Sequence, residues 1–377
     1  MYLILLIGFF MALFLLILLI GKKNKVIIDK VFLCMFVVYT ITMGGAFIEV
    51  YNVKNGYPYP HLMNVTWLFL LLHGPFLWFY VKSLTVPNFK IKPIHLFHFA
   101  PFILYSIVHS FNFIQLSGAE KILLFTENTF TKTGFFKFGS MVIGISTIGY
   151  NIVALKLLQN HLKTIKNRFS NIEDKDLIWL KRLVIASLVI FTLNVGLYNV
   201  NNYFKFSEYF ALSQIAYSFS TVYVFYIGYY GIKQGRIFVD NPTSELDDII
   251  VFSNQVVSAS NENNTFTDII DQLTLVMERQ QPYLDPEITL AKLSGILKVK
   301  PELLSEILNA HLNQNFFDFI NIYRVEEFKL RSINPENNHL SILGIAYDCG
   351  FNSKAAFYRA FNKFEKMSPT AYMSSCS

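Results

Sequence analysis

The sequence predicts an all-α protein in two parts. A bundle of seven membrane-spanning helices comes first, and a smaller helical domain with two helix-turn-helix units follows. Three observations carry that expectation. Seven apolar runs, each near the roughly 20 residues that a bilayer requires, crowd the first 235 positions. The segments between them alternate between rich and poor in Lys and Arg. Past residue 266, apolar residues recur at helical spacing and are punctuated by capping residues and turns. A hydrophobic fraction of 53% against 15% charged, with 38 Phe and 21 Tyr, is too apolar for one soluble protein of 377 residues, so the excess belongs to the first part.

The runs lie at 2–20, 31–50, 64–81, 94–114, 136–157, 183–203 and 209–231. No basic residue precedes the first run, and Lys22, Lys23 and Lys25 follow it. That order is the reverse of a signal peptide and reads as an anchor with its N-terminus outside. With that orientation, sixteen Lys and Arg fall in cytoplasmic segments and five in external ones. An odd number of crossings and the charge bias therefore agree in placing residue 232 onward in the cytoplasm.

Some polar residues fall at membrane depth. His73 precedes Gly74-Pro75, which predicts a kink in the third span. Glu49 lies near the outer end of the second span and His109 in the outer third of the fourth. Asn194, Tyr198, Asn201 and Asn202 share one face of the sixth, and Gln214 lies at similar depth in the seventh. Two readings stand side by side. Glu49, His109, Asn194, Tyr198, Asn201 and Gln214 line an outward-opening pocket for a small molecule or an envelope signal. Alternatively, they are polar contacts between packed helices. No HExxH, GxSxG, paired intramembrane carboxylates or phosphate-cradling glycine loop is present, so no catalytic activity is expected. Cys34, Cys349 and Cys376 have no metal or disulfide spacing, and no cofactor or metal is expected. Residues 236–266 form a linker. Its 245–257 stretch suits a short amphipathic helix, and the Ser/Asn-rich remainder suits a tether that either transmits a signal or acts as a passive leash.

The remaining domain, 267–377, is built of capped helices. Thr267 starts one that runs to about Gln280. Asp285-Pro286 and Thr289 start a second, with Leu290, Leu293 and Leu297 as its apolar stripe. Lys298–Lys300 turns the chain, and Pro301 opens a third helix carrying Leu303, Leu304, Ile307 and Leu308. A longer helix covers 316–333 and stops at Asn334-Pro335. In 341–364 an amphipathic helix ends at Gly350. Asn352 and Ser353 offer caps for the next helix, which buries Phe357 and Phe361 and presents Lys354, Arg359 and Lys363. Taken alone, this stretch fits a DNA-binding helix-turn-helix and equally an αα-hairpin with a solvated charged face. A short helix opened by Ser368-Pro369 closes the chain.

The motifs PYLDPEITLAKLS, LLSEIL, Phe316-x-x-Phe319-Ile320-Asn321-x-x-Arg324-Val325-Glu326-Glu327, Ile345-Ala346-x-x-x-Gly350-Phe351-x-Ser353, Phe357-x-x-x-Phe361 and Ser368-Pro369-x-x-Tyr372 keep one another's spacing. Through them, residues 282–373 resemble the AraC/XylS-type transcriptional regulators along their DNA-binding domain. The resemblance implies two helix-turn-helix units joined by a rigid helix, each offering a recognition helix to successive major-groove segments of double-stranded promoter DNA. It departs from the family at Glu302 and Glu306 on the first recognition helix, at Phe328 where alanine is usual, and at Lys366 where glycine is usual. From residue 268 onward 11 basic residues face 13 acidic ones, which gives no general attraction for phosphate. The expected DNA contacts are Lys354 and Arg359, with Lys363 and Lys300 on phosphates and Ser353 and Ser305 beside them. The chain then reads as a multi-pass protein of the cytoplasmic membrane, in contact with lipid, whose cytoplasmic domain regulates transcription. Pairing as a homodimer would raise its effective concentration on DNA. The acidic first recognition helix supports a second reading, a membrane receptor whose helix-turn-helix domain binds a protein.

Overall fold

A computed structural model describes residues 2–376 apart from 128, 174, 205–208, 238–265 and 338. Among the described residues the regular structure is all helical. The only extended pairing there is an isolated antiparallel bridge between Phe169 and Thr289. The chain divides into two compact units, one of 1–159 with 177–240, the other of 160–176 with 241–377.

The first unit holds α1 (Tyr2–Gly21), α2 (Ile27–Lys54), α3 (Leu70–Thr85), α4 (Ala100–His109), α5 (Gly118–Thr126), most of α6 (Gly134–Arg168), α7 (Ile178–Phe204) and α8 (Tyr209–Ile237). Among the described residues five helical segments are long and apolar enough to cross a membrane: Leu3–Gly21, Ile27–Lys54, Pro60–Thr85, Pro93–Ile114 and Gly134–Lys166. They coincide with the first five expected spans. The sixth and seventh fall on α7 and α8, where the side chains of 194, 195, 197–214, 216 and 217 lie outside the described residues. The third expected span starts as a 3-10 turn, Thr66–Phe69, and α3 then continues through Pro75. The fourth is composite: a 3-10 segment Pro93–Phe99, then α4, then a π-turn Ser110–Ile114.

One core joins α1, α2, α3, α7 and α8 through Leu15, Phe32, Phe36, Tyr39, Tyr80, Leu183, Val184 and Ile227. Phe32 stacks on Tyr80 with ring centroids 4.9 Å apart. A Cβ on Gly228 would lie 2.2 Å from Leu15 Cδ1, and one on Gly231 would lie 2.1 Å from Phe32 Cζ. Glycine on α8 is therefore what lets these large side chains reach its backbone. A second core holds Trp67, Tyr105, Phe113, Phe130 and Phe136, with Trp67 stacked on Phe136 at 4.5 Å. Hydroxyls in the apolar helices, such as those of Thr42, Ser106 and Thr147, donate to carbonyls of their own helix and so need no water. Outward faces carry Leu3, Ile7, Phe10 and Phe14 on α1 and Phe138, Met141 and Ile145 on α6, all exposed.

The second unit holds α9 (Phe266–Gln280), α10 (Leu290–Leu297), α11 (Pro301–Glu306), α12 (Phe316–Ser332), α13 (Ile342–Asp348), α14 (Lys354–Glu365) and α15 (Pro369–Cys376). A π-turn, Ile307–His311, extends α11. Helix α12 serves two cores. Its first half places Phe316, Phe319 and Ile320 against Leu273, Met277, Leu293, Leu304 and Leu308. Its second half places Val325 and Phe328 against Ile345, Cys349, Phe351, Phe357 and Phe361.

Helix α14 ends on Lys366, whose backbone is left-handed at φ +59° and whose N–H bonds to Asn362 O. A residue with a Cβ is strained there, which explains why glycine suits this position. Lys366→Gly is expected to stabilise the second core by about 0.5–1 kcal/mol. The measurement is slower hydrogen exchange of α13 and α14 amides in the full chain.

Candidate nucleic-acid interface

Both turns follow from local chemistry. In the first, the Thr289 hydroxyl accepts from the Lys292 N–H at 3.2 Å and starts α10. Lys298 takes a left-handed backbone, φ +55°, and ends it. Pro301 occupies the first turn of α11, where its missing N–H leaves no bond unmade. In the second, Ser341 Oγ accepts from the Gly344 N–H at 3.0 Å and starts α13. Gly350 follows α13 at φ +88°, and a Cβ there would lie 2.5 Å from the Tyr283 carbonyl oxygen. Glycine is thus required twice at this position, by its dihedral and by close approach. Ser353 Oγ accepts from the Ala356 N–H at 3.1 Å and caps α14. Phe357, Ala360 and Phe361 face the core, which leaves Lys354, Arg359 and Lys363 on the outside.

Residues 293–375 match a family model described as a helix-turn-helix domain. This segment is an AraC-type helix-turn-helix domain. The match covers less than a quarter of the chain and supports DNA binding by this segment. No curated protein and no solved structure matches the chain.

Within the AraC-type domain the candidate contacts divide between two elements. Ser353, Lys354, Arg359 and Lys363 gather on α14 and its cap. Lys354 is exposed, with Nζ 5.5 Å from the Tyr358 ring centroid. Arg359 Nε donates to Ala355 O at 3.2 Å, and its Nη2 lies 3.6 Å from Glu173 Oε1. Lys363 Nζ pairs with Asp318 Oδ2 on α12 at 2.6 Å. Lys300 caps α11 and Ser305 lies in it, both in the first helix-turn-helix. Lys300 is exposed, and Ser305 Oγ accepts from Asn309 Nδ2 at 3.4 Å. Glu302 and Glu306 are exposed on the same helix. The second helix-turn-helix therefore concentrates positive charge, and the first mixes it with negative charge.

Of the membrane candidates, Glu49 on α2 and His109 on α4 are buried. His109 lies among the rings of Tyr105, Phe113 and Phe135, at 6.3, 5.2 and 5.4 Å. The side chains of Asn194, Tyr198, Asn201 and Gln214 lie outside the described residues.

The sequence reading missed residues 160–176, which it treated only as a basic loop. They pack with the AraC-type domain. Ile165, Phe169 and Ile172 form a small core with Leu162 and Phe317. Their i, i+4, i+7 spacing in an otherwise polar stretch is the signal that marks them. It also missed the role of Arg324, which is almost fully buried. Arg324 Nε donates to Tyr283 O at 2.7 Å, and Nη2 donates to Asp285 O at 2.8 Å and to Ser170 Oγ at 3.3 Å. Burial pulls this guanidinium down to about 10, which still leaves it charged at neutral pH, with Asp285 and Glu287 favouring the charge.

Proposed function

We propose that the chain is a membrane-embedded one-component transcription regulator. In this reading residues 1–235 form a seven-helix sensor domain with an outside N-terminus, 236–266 a cytoplasmic linker, and 267–377 the domain that binds promoter DNA, as a homodimer. The observation that carries it is the cationic outer face of α14 on an AraC-type domain, in one chain with several apolar helices of bilayer length. Exposed apolar residues along α1 and α6 support contact with lipid. The buried His109, whose ring nitrogens have no hydrogen-bond partner among the described residues, supports a polar sensing position near the outer face.

On DNA, Lys354 and Arg359 approach the major groove, Lys363 leaves Asp318 for a phosphate, and Ser353 donates to the backbone. The pairing of Lys363 with Asp318 and the acidic α11 both lower affinity for DNA in general, so recognition relies on α14 and on two domains acting together.

The test is footprinting of the full chain in lipid nanodiscs on duplexes upstream of its own and neighbouring genes. A protected site is expected at low salt. Arg359→Ala is expected to weaken binding by about 1–3 kcal/mol, and Lys300→Ala by less. The opposite order would overturn the ranking of the two recognition helices. Protection absent at low salt would favour the protein-binding reading, which the exposed Glu302 and Glu306 support.

A further inference from the structure

The AraC-type domain already has an occupant at the end of α14 that DNA would approach. Residues 170–173 lie against it and line a small hollow together with Asn321, Arg324, Phe351, Asn352 and Arg359. The segment is held in two ways. Its buried end is an anchor: Phe169 packs with Ile165, Ile172 and Phe317, pairs with Thr289 through a β-bridge, and Ser170 Oγ donates to Ile288 O at 2.8 Å. Its other end is half-exposed and polar. Asn171 Nδ2 donates to Glu287 Oε1 at 3.0 Å, and Asn352 Nδ2 donates to the same oxygen at 2.6 Å. Glu173 Oε1 accepts from the Ser353 hydroxyl and lies 3.6 Å from the Arg359 guanidinium.

A carboxylate held by a serine hydroxyl and an arginine at the start of a helix has the partners that a DNA phosphate takes: a hydroxyl, a guanidinium and the positive end of a helix dipole. One oxygen set cannot serve both. We propose that Glu173 is a built-in competitor for DNA, a phosphate stand-in that occupies Ser353 and Arg359 until DNA displaces it. This rests on the reading of α14 as a DNA-binding helix.

The two ends have different fates. The Ser170 anchor is buried and stays in place. The contact of Glu173 with Arg359 is not: the Arg359 side chain is 54% exposed and that of Glu173 31%, so the pair is weak enough for a phosphate to replace. In sequence the segment lies between the expected fifth and sixth spans. Glu173 is therefore joined to both of those spans through short stretches of chain.

The experiment is a double-mutant cycle on DNA affinity, with the full chain in nanodiscs. Wild type, Glu173→Gln, Arg359→Ala and the double variant are titrated with duplexes tiling the region upstream of the chain's own gene. Glu173→Gln keeps the shape of the side chain and removes its charge. If Glu173 occupies the site about nine-tenths of the time, its loss raises the apparent affinity about tenfold. The gain is expected to shrink by most of that factor in the Arg359→Ala background. An equal gain in both backgrounds would show a general effect of removing a negative charge and would overturn the proposal. No gain in the wild-type background would overturn it too. A chain that binds no duplex at low salt in any of the four forms fails differently: it removes the DNA-binding reading itself, and the proposal with it.

Discussion

Phe328→Ala is expected to cost the second half of the AraC-type domain about 3–5 kcal/mol, close to the whole stability of a domain this small. Phe328 is fully buried, with Phe357 at 4.6 Å and Phe361 at 5.5 Å. The alanine usual in the family would leave a void here, because the surrounding rings are arranged around a large partner. The effect should be local. Phe328 sits in the core of α13 and α14, whereas Phe316 and Ile320, on the same helix, sit in the other core. Hydrogen exchange on the full chain should therefore speed strongly in α13 and α14 and much less in α10 and α11. DNA binding should be lost with α14. Equal acceleration in both halves would mean that α12 couples the two cores into one unit.

Arg324→Ala is expected to be comparably severe, on the order of 3–5 kcal/mol, for a different reason. Its three hydrogen bonds go to two backbone carbonyls and one hydroxyl; alanine removes this donor from all three and leaves Asp285 O with the Ile288 N–H. Arg324→Lys should rescue less than half of the loss. An ammonium cannot present the two separated nitrogens that reach Tyr283 O and Asp285 O together. Resistance of the full chain to limited proteolysis, followed at 282–290, would read the loss. Full rescue by lysine would show that charge, and not the fork of the guanidinium, is what the position needs.

These two residues show what was legible in the sequence. The helices, their caps and their turns were, because each answers a local rule. Thr289, Pro301, Ser341 and Ser353 begin helices for reasons visible within four residues, and Gly350 ends one for its dihedral. The Arg324 position stood out as part of a family pattern, but its partners did not, since they lie about 40 and 154 residues away in the chain. The same distance hid Glu173. A carboxylate in a loop carries no local mark of the serine and arginine it will meet. Lys363 was read as free for phosphate, and its pairing with Asp318 was equally hidden. The irregular turns of the fourth expected span escaped because 3-10, α and π segments share one apolar composition.

The apolar face of residues 165–172 also has a consequence in time. Ribosomes add about 5–20 residues per second. Ser170 emerges 154 residues before Arg324, so on the order of ten to thirty seconds pass between them. Throughout that interval Ile165, Phe169 and Ile172 have no Phe317 to cover them. A chain interrupted before residue 317 keeps that greasy strip bare for good, and a quality-control protease that reads exposed apolar segments would have an address on every unfinished copy.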